Sequence, residues 1–255
     1  MIFNTHSHIN DKTLEEANAL VNECLENNVV KVAVVGYDYD SSLRALNLAK
    51  QNEHVYAICG LQPGGVDEFD GDFSKYKELF DDPKCICIGE IGLDYYYGKD
   101  NKQLQLKYFE EQLQIACNYK KPIEIHCRDA HEDTYNLLEK YHKQLDGIIL
   151  HCYSGSVEMM KRYVKLGAYI SISGVVTFKN AIALKEAVKE CPLDHLLVET
   201  DDPYLTPVPF RGKENHPSYV KYVVKEIALL KEMDENEIAD ITYNNAMKVF
   251  HLWKR

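Results

Sequence analysis

His6 and His8 flank Ser7 in the stretch FNTHSHIN. Residues i and i+2 of an extended strand point to the same side, so both imidazoles face one way and Ser7 the other. Paired imidazoles suit a divalent metal, but two histidines in a polar turn need bind nothing, and the motif alone leaves both readings open. Four further residues enlarge the set. Glu90 lies in IGEIGLDYYY, His126 in IEIHCRDA, His151 in ILHCYSG and Asp201 in VETDDPYL, each at the end of an apolar run. Taken singly, His126 and His151 read equally well as satisfied core histidines, Glu90 as a turn cap and Asp201 as a helix cap. Taken together those readings compete poorly, because four of only ten histidines fall at the same place relative to an apolar run. The other six, His54, His131, His142, His195, His216 and His251, fall in helical or loop contexts or at the start of a run. They are assigned to packing or surface.

Six imidazole and carboxylate groups exceed what one tetrahedral zinc takes. They point to two divalent ions, which at about 3.5–4 Å separation stabilise both the entering and the leaving oxygen of a displacement at phosphorus. Glu90 is the natural bridge, since its two oxygens can serve separate ions. The mixture of nitrogen and oxygen donors does not choose sharply among Zn²⁺, Mn²⁺ and Mg²⁺.

Such groups need a scaffold that converges them. Eight β-rich apolar runs occur near residues 2–6, 29–36, 55–61, 85–92, 122–126, 147–151, 168–173 and 195–200. They are nearly continuous in hydrophobicity, as strands buried on both faces are. Helical stripes lie between or after them: Leu14, Ala17, Val21, Cys24 and Leu25; Leu106, Phe109, Leu113 and Ala116; Tyr219, Val223, Ile227 and Leu230. Asp234 and Glu237 outline a capping box ahead of Ile238, Ile241, Asn245 and Val249. Strands alternating with helices predict a parallel sheet covered on both faces. Eight strands predict one α/β domain over residues 1–255, a (β/α)8 TIM-type barrel with its chemistry at the C-terminal ends of the strands. A doubly wound open sheet is the rival.

The chain of 255 residues is 45% hydrophobic and 27% charged, a globular profile. No run is long and apolar enough for a membrane span, and no basic stretch leads into an apolar leader, so a cytoplasmic protein without a membrane partner is expected. Its eight cysteines are then expected to be reduced thiols. Cys85 and Cys87 read as strand packing, and so do Cys127 and Cys152, which alternation turns away from the neighbouring histidines. A net charge of −11 repels long polyanions. It still allows a short nucleic-acid end at a metal site, where the cations invert the local field.

In this order the motifs resemble the TatD-family metal-dependent deoxyribonucleases of the amidohydrolase-like barrel superfamily. The resemblance runs through THSHIN, GLQP (60–63), GEIGLDY (89–95), IHCRDA (125–130), HCYSG (151–155), SISGVVTFKNA (171–181), ETDDPYL (199–205), RGKENHPSYV (211–220) and NNAMKVF (244–250). It implies that His6, His8, Glu90 and Asp201 hold one ion and Glu90, His126 and His151 a second, with Asp201 also orienting or deprotonating the attacking water. It implies a phosphate contact for Arg128, whose guanidinium fork suits that task; a salt bridge to Asp129 or another acid is the alternative. Arg211 and Asn215 resemble substrate-loop positions. Ser154 and Gly155 read as a turn with room for a phosphate contact. Gln62 stands where family members usually carry His; it can donate a hydrogen bond but cannot become cationic. The implied activity is hydrolysis of DNA phosphodiesters, 3′ to 5′ from single-stranded ends, with DNA ends as the partner and no protein partner indicated. A small-molecule amidohydrolase or phosphoesterase using the same two ions is the second reading. Many such barrels bridge their metals with a modified lysine, and Glu90 leans away from them. A metal-binding scaffold without activity is a third, opposed by the complete ligand set.

Overall fold

A computed structural model of the chain describes residues 1–254. Each apolar run becomes a strand: β1 (Ile2–Ser7), β2 (Val29–Val35), β3 (Val55–Cys59), β4 (Cys85–Asp94), β5 (Ile123–Arg128), β6 (Ile148–Leu150), β7 (Tyr169–Ile172) and β8 (Leu196–Val198). The helices are α1 (Leu14–Glu26), α2 (Tyr39–Gln51), α3 (Lys77–Asp81), α4 (Lys102–Tyr119), α5 (His131–Tyr141), α6 (Val157–Lys165), α7 (Ile182–Glu190), α8 (Val220–Lys231) and α9 (Glu235–Val249). Among the described residues all strand pairs are parallel and the order is β1 to β8 without reversal. A doubly wound sheet reverses its order at a switch point, so that rival is excluded. The two outer strands meet where Ser7 bridges Asp202 and the His8 amide donates to the Asp202 carbonyl at 3.1 Å. The result is a nearly closed (β/α)8 barrel.

The helices form where the stripes and caps call for them. Thr13 and Glu16 make a reciprocal capping box at the start of α1, and Ala17, Val21 and Cys24 turn inward; Leu14, the first residue of that stripe, is exposed. In α4, Phe109, Leu113 and Ala116 are buried, and in α8, Val223 and Ile227. Asp234 caps α9 by accepting from the Asn236 amide, without the reciprocal bond expected of Glu237 among the described residues. No helix among those residues is long and apolar enough to cross a membrane. All eight cysteines are unpaired.

Inside the barrel, Phe3, Ala33, Val35, Ile58, Ile86, Ile149 and Leu197 form one apolar cluster, closed by Ala246, Met247, Val249 and Phe250 at the end of α9. β5 places Glu124 opposite Ile149 at this level. The interior is therefore apolar below and ionisable above, with Glu124 at the boundary.

Candidate metal centre

Two register shifts aim the ligands. β1 carries an extra residue relative to β2 between Asn4 and Ser7, and β4 carries one relative to β5 between Ile88 and Ile91. An extra residue changes which side chains face inward. The first shift brings His6 inward on the strand that also sends Phe3 inward. The second does the same for Glu90, which lies within β4 and not at its end, because pairing continues as far as Asp94 with Arg128. Glycine makes the second shift possible. A Cβ on Gly89 would lie 2.9 Å from the Glu124 carbonyl oxygen, and one on Gly92, at φ +137°, would collide with the His126 carbonyl.

The six residues meet at the C-terminal end of the barrel. The Nε2 atoms of His6 and His8 are 3.0 Å apart, and each is 3.6 Å from Asp201 Oδ1. Glu90 Oε1 lies 2.8 Å from His126 Nδ1 and 3.1 Å from His151 Nε2. The two groups share Glu90: the ligand atoms of His6, His8 and Glu90 lie within 4.8 Å of one another, as do those of Glu90, His126 and His151. The His6 and His151 rings stack at 4.1 Å and join the two sets.

Each imidazole is fixed from behind. His6 Nδ1 faces Glu124 at 3.0 Å, His8 Nδ1 the Val35 carbonyl at 3.0 Å, His126 Nε2 Asp94 at 3.0 Å, and His151 Nδ1 Glu199 at 3.3 Å. A carbonyl or ionised carboxylate can only accept, so these nitrogens donate, and in the neutral ring the opposite nitrogen offers a lone pair. This is how metal-ligating histidines are ordinarily oriented. The facing Nε2 atoms of His6 and His8, 3.0 Å apart, can share a proton or turn both lone pairs to one metal ion. The residues fit a divalent ion on that ground. Sequence reasoning overlooked Asp94, Glu124 and Glu199. The signal for the last two was present, since each stands two residues before a chosen ligand.

The electrostatics have the same cause. Burial pushes His8 down, but Asp201, Glu90 and Asp202 outweigh it and raise it to about 9. His126 is likewise raised to about 8, against burial, by Asp94 and Glu90. Burial opposes the ionisation of Glu90, yet His151 and His126 hold it well below the usual carboxylate range, and His8, His6 and His151 hold Asp201 low. The site is a nest of carboxylates that demands positive charge.

Arg128 ends β5, exposed, with its guanidinium over Tyr96 at 4.1 Å and Tyr97 at 4.8 Å. It makes no ion pair with Asp129 or any other acid among the described residues. Arg211 lies over Phe178 at 3.9 Å, also without a carboxylate partner there. Gln62 follows β3; its backbone N–H donates to the Tyr37 carbonyl at 2.9 Å, and the Tyr37 ring lies 5.9 Å from that of His8. The Gln62 side chain makes no hydrogen bond among the described residues. Asn215 is placed differently from a surface contact: it is buried, and its Nδ2 donates to the carbonyls of Thr200 at 3.0 Å and Tyr204 at 2.6 Å. Its role in the structure is to hold the loop after β8. Gly155 packs against Tyr153 and His131, as a turn does. Cys127 contacts His131 and Tyr163, away from the ligands, whereas Cys152 reaches Ser173 at 3.2 Å. Burial raises both thiols, so neither is a ready nucleophile.

The family model described as TatD related DNase matches residues 3–251. The chain belongs to the TatD family. The metal-dependent hydrolase YabD of Bacillus subtilis is 43% identical over 257 residues, covering 99% of this chain and all of that protein. The metal-dependent hydrolase YcfH of Escherichia coli K12 is 36% identical, covering 97% of this chain and 90% of that protein. Among solved structures, the TatD homologue YJJV of Escherichia coli K12 superposes with a TM-score of 0.93 at 27% identity, covering 98% of each chain.

Proposed function

We propose that this chain is a divalent-metal-dependent deoxyribonuclease that removes nucleotides 3′ to 5′ from single-stranded DNA ends. The observation that carries the reading is the pair of ligand sets sharing Glu90. His6, His8, Glu90 and Asp201 would hold one ion and Glu90, His126 and His151 the other. Bound there, the ions supply Lewis-acid stabilisation of the charge that builds at a phosphorus centre.

The chain's own groups do the rest. Asp201, held ionised by His8, His6 and His151, accepts the proton of the attacking water. Glu124, Glu199 and Asp94 keep the imidazoles in the tautomer that turns a lone pair to the centre. The Arg128 fork, without a carboxylate partner among the described residues, binds phosphate, and Arg211 offers a second positive contact. Gln62 donates a neutral hydrogen bond at the mouth. The family description as DNase and the relatives named metal-dependent hydrolases support the assignment. Gln62 is the observation that favours the second reading, a small-molecule phosphoesterase or amidohydrolase: an uncharged amide there weakens the grip on a phosphate anion.

The test is to strip the protein of metal, reload it with Mg²⁺, Mn²⁺ or Zn²⁺ in turn, and supply end-labelled single-stranded DNA beside a panel of small esters and amides. Stepwise shortening of the DNA in at least one metal form is expected. Turnover of the small esters with intact DNA in every form would overturn the proposal.

A further inference from the structure

Tyr96 and Tyr97 follow β4 and are 51% and 77% exposed. Two adjacent tyrosine rings left in water call for an account, since large exposed aromatic groups mark binding surfaces. These rings are not loose. Both backbone amides donate to Asp94 Oδ1 at 2.9 Å. Buried Gln105 braces the turn below them, accepting from the Asp94 amide at 2.8 Å and donating to the carbonyls of Asp94 at 2.9 Å and Gly98 at 3.1 Å. The rings meet edge to face with centroids 4.8 Å apart. Arg128 lies over both.

Their position is tied to the metal centre by one carboxylate. Asp94 Oδ1 holds the tyrosine amides, and Asp94 Oδ2 holds His126 at 3.0 Å. The turn that carries the tyrosines is therefore one carboxylate away from His126, and the Arg128 guanidinium lies on their rings.

We propose that Tyr96, Tyr97 and Arg128 form a stacking platform for an unpaired nucleobase of the substrate, with Arg128 presenting its free N–H groups to the adjoining phosphate. The inference rests on the nuclease reading for its substrate, and deepens it by naming what the enzyme grips besides phosphate. Aromatic rings and guanidinium planes are the surfaces on which unstacked bases settle, whatever their sequence. A paired base inside a duplex is covered on both faces and cannot reach the platform. The acidic chain thus gains affinity for strand ends through stacking, where a basic groove would have supplied charge.

The test uses short single-stranded DNA carrying 2-aminopurine at the 3′ end or at the 5′ end, whose fluorescence is quenched on stacking. Stopped-flow mixing with the manganese-loaded full chain follows binding before turnover. Matched strands ending in an abasic residue give the ratio of kcat/KM with and without a terminal base. Quenching is expected at one end, with affinity falling about tenfold in Tyr97→Ala and restored in Tyr97→Phe. The base-to-abasic ratio should collapse towards one in the alanine variant. Absence of quenching at both ends, or quenching that survives Tyr96→Ala combined with Tyr97→Ala, would overturn the platform. If no strand is cleaved in any metal form while quenching still depends on Tyr97, the nuclease reading fails and the platform stands.

Discussion

Asp201 sits in the left-handed region at φ +55°, a conformation that Asn adopts as readily as Asp. Asp201→Asn therefore keeps the backbone and the shape while removing the proton acceptor. Turnover is expected to fall by about 10²-fold or more, the scale of a lost general base, with the fold retained by circular dichroism; a loss below tenfold with metal retained would assign the water's proton elsewhere. Gln62 permits the opposite experiment. Its side chain makes no hydrogen bond among the described residues, so Gln62→His adds a group able to carry charge without breaking one. Charge-assisted hydrogen bonds are about twice as strong as neutral ones, and recovery of ~1.4 kcal/mol in the transition state is a tenfold gain. Hydrolysis of DNA ends and of a small phosphodiester should rise by up to that factor; a loss on the small ester alone would mean that Gln62 reads a polar group. At this scale the convergence of His126, His151 and Glu90 was legible because they interrupt apolar runs. Asn215 was not, since a sequence does not say whether an amide points to substrate or to the carbonyls of Thr200 and Tyr204.

Strands and helices were legible from their apolar periods, while strand ends were not. β4 runs on to Asp94 because Arg128 is there to pair with it, and β8 stops at Val198; pairing sets those limits, and a partner lies elsewhere in the chain. The register shifts escaped for the same reason. Gly89→Ala tests the second shift. Its methyl would press on Glu124 and Ile58, and overpacking of this kind costs about 1–3 kcal/mol. Urea unfolding should show that loss, and turnover should fall more steeply than stability because Glu90 is displaced; a fall in stability with full activity would mean that β4 relaxes without moving Glu90. The start of α5 gives a pH signature. Burial depresses His131 below its ordinary value, more strongly than Asp129 and Glu132 raise it. The unfolded chain then binds the proton more readily, so this contribution is complete above about pH 6.5 and is lost as pH falls towards the folded value. His131→Gln should flatten the dependence of the urea midpoint on pH below about 6.5; an unchanged slope would assign that loss to other groups.

Over the whole molecule, charge is allotted unevenly. Arg44 and Arg162 pair with Asp11 and Glu132, whereas Arg128 and Arg211 lie on aromatic rings without such partners among the described residues. With 40 Asp and Glu against 29 Lys and Arg, and a net charge of −11, binding to duplex DNA should be weak. Its salt dependence should correspond to fewer than about six neutralised phosphates. A titration across salt concentrations checks this, and a steeper slope would reveal a basic face that includes Lys99, Lys102, Lys107 or Lys213. The seam between β8 and β1 has a consequence for how the protein is made. His6 and His8 leave the ribosome before Asp201, which faces them both and follows only after seven further strands. At about 5–20 residues per second, the two histidines wait about 10–40 s for their partner. A nascent chain in that interval holds the two imidazoles without the carboxylate that faces them, so this side of the candidate centre is complete only after the last strand has emerged.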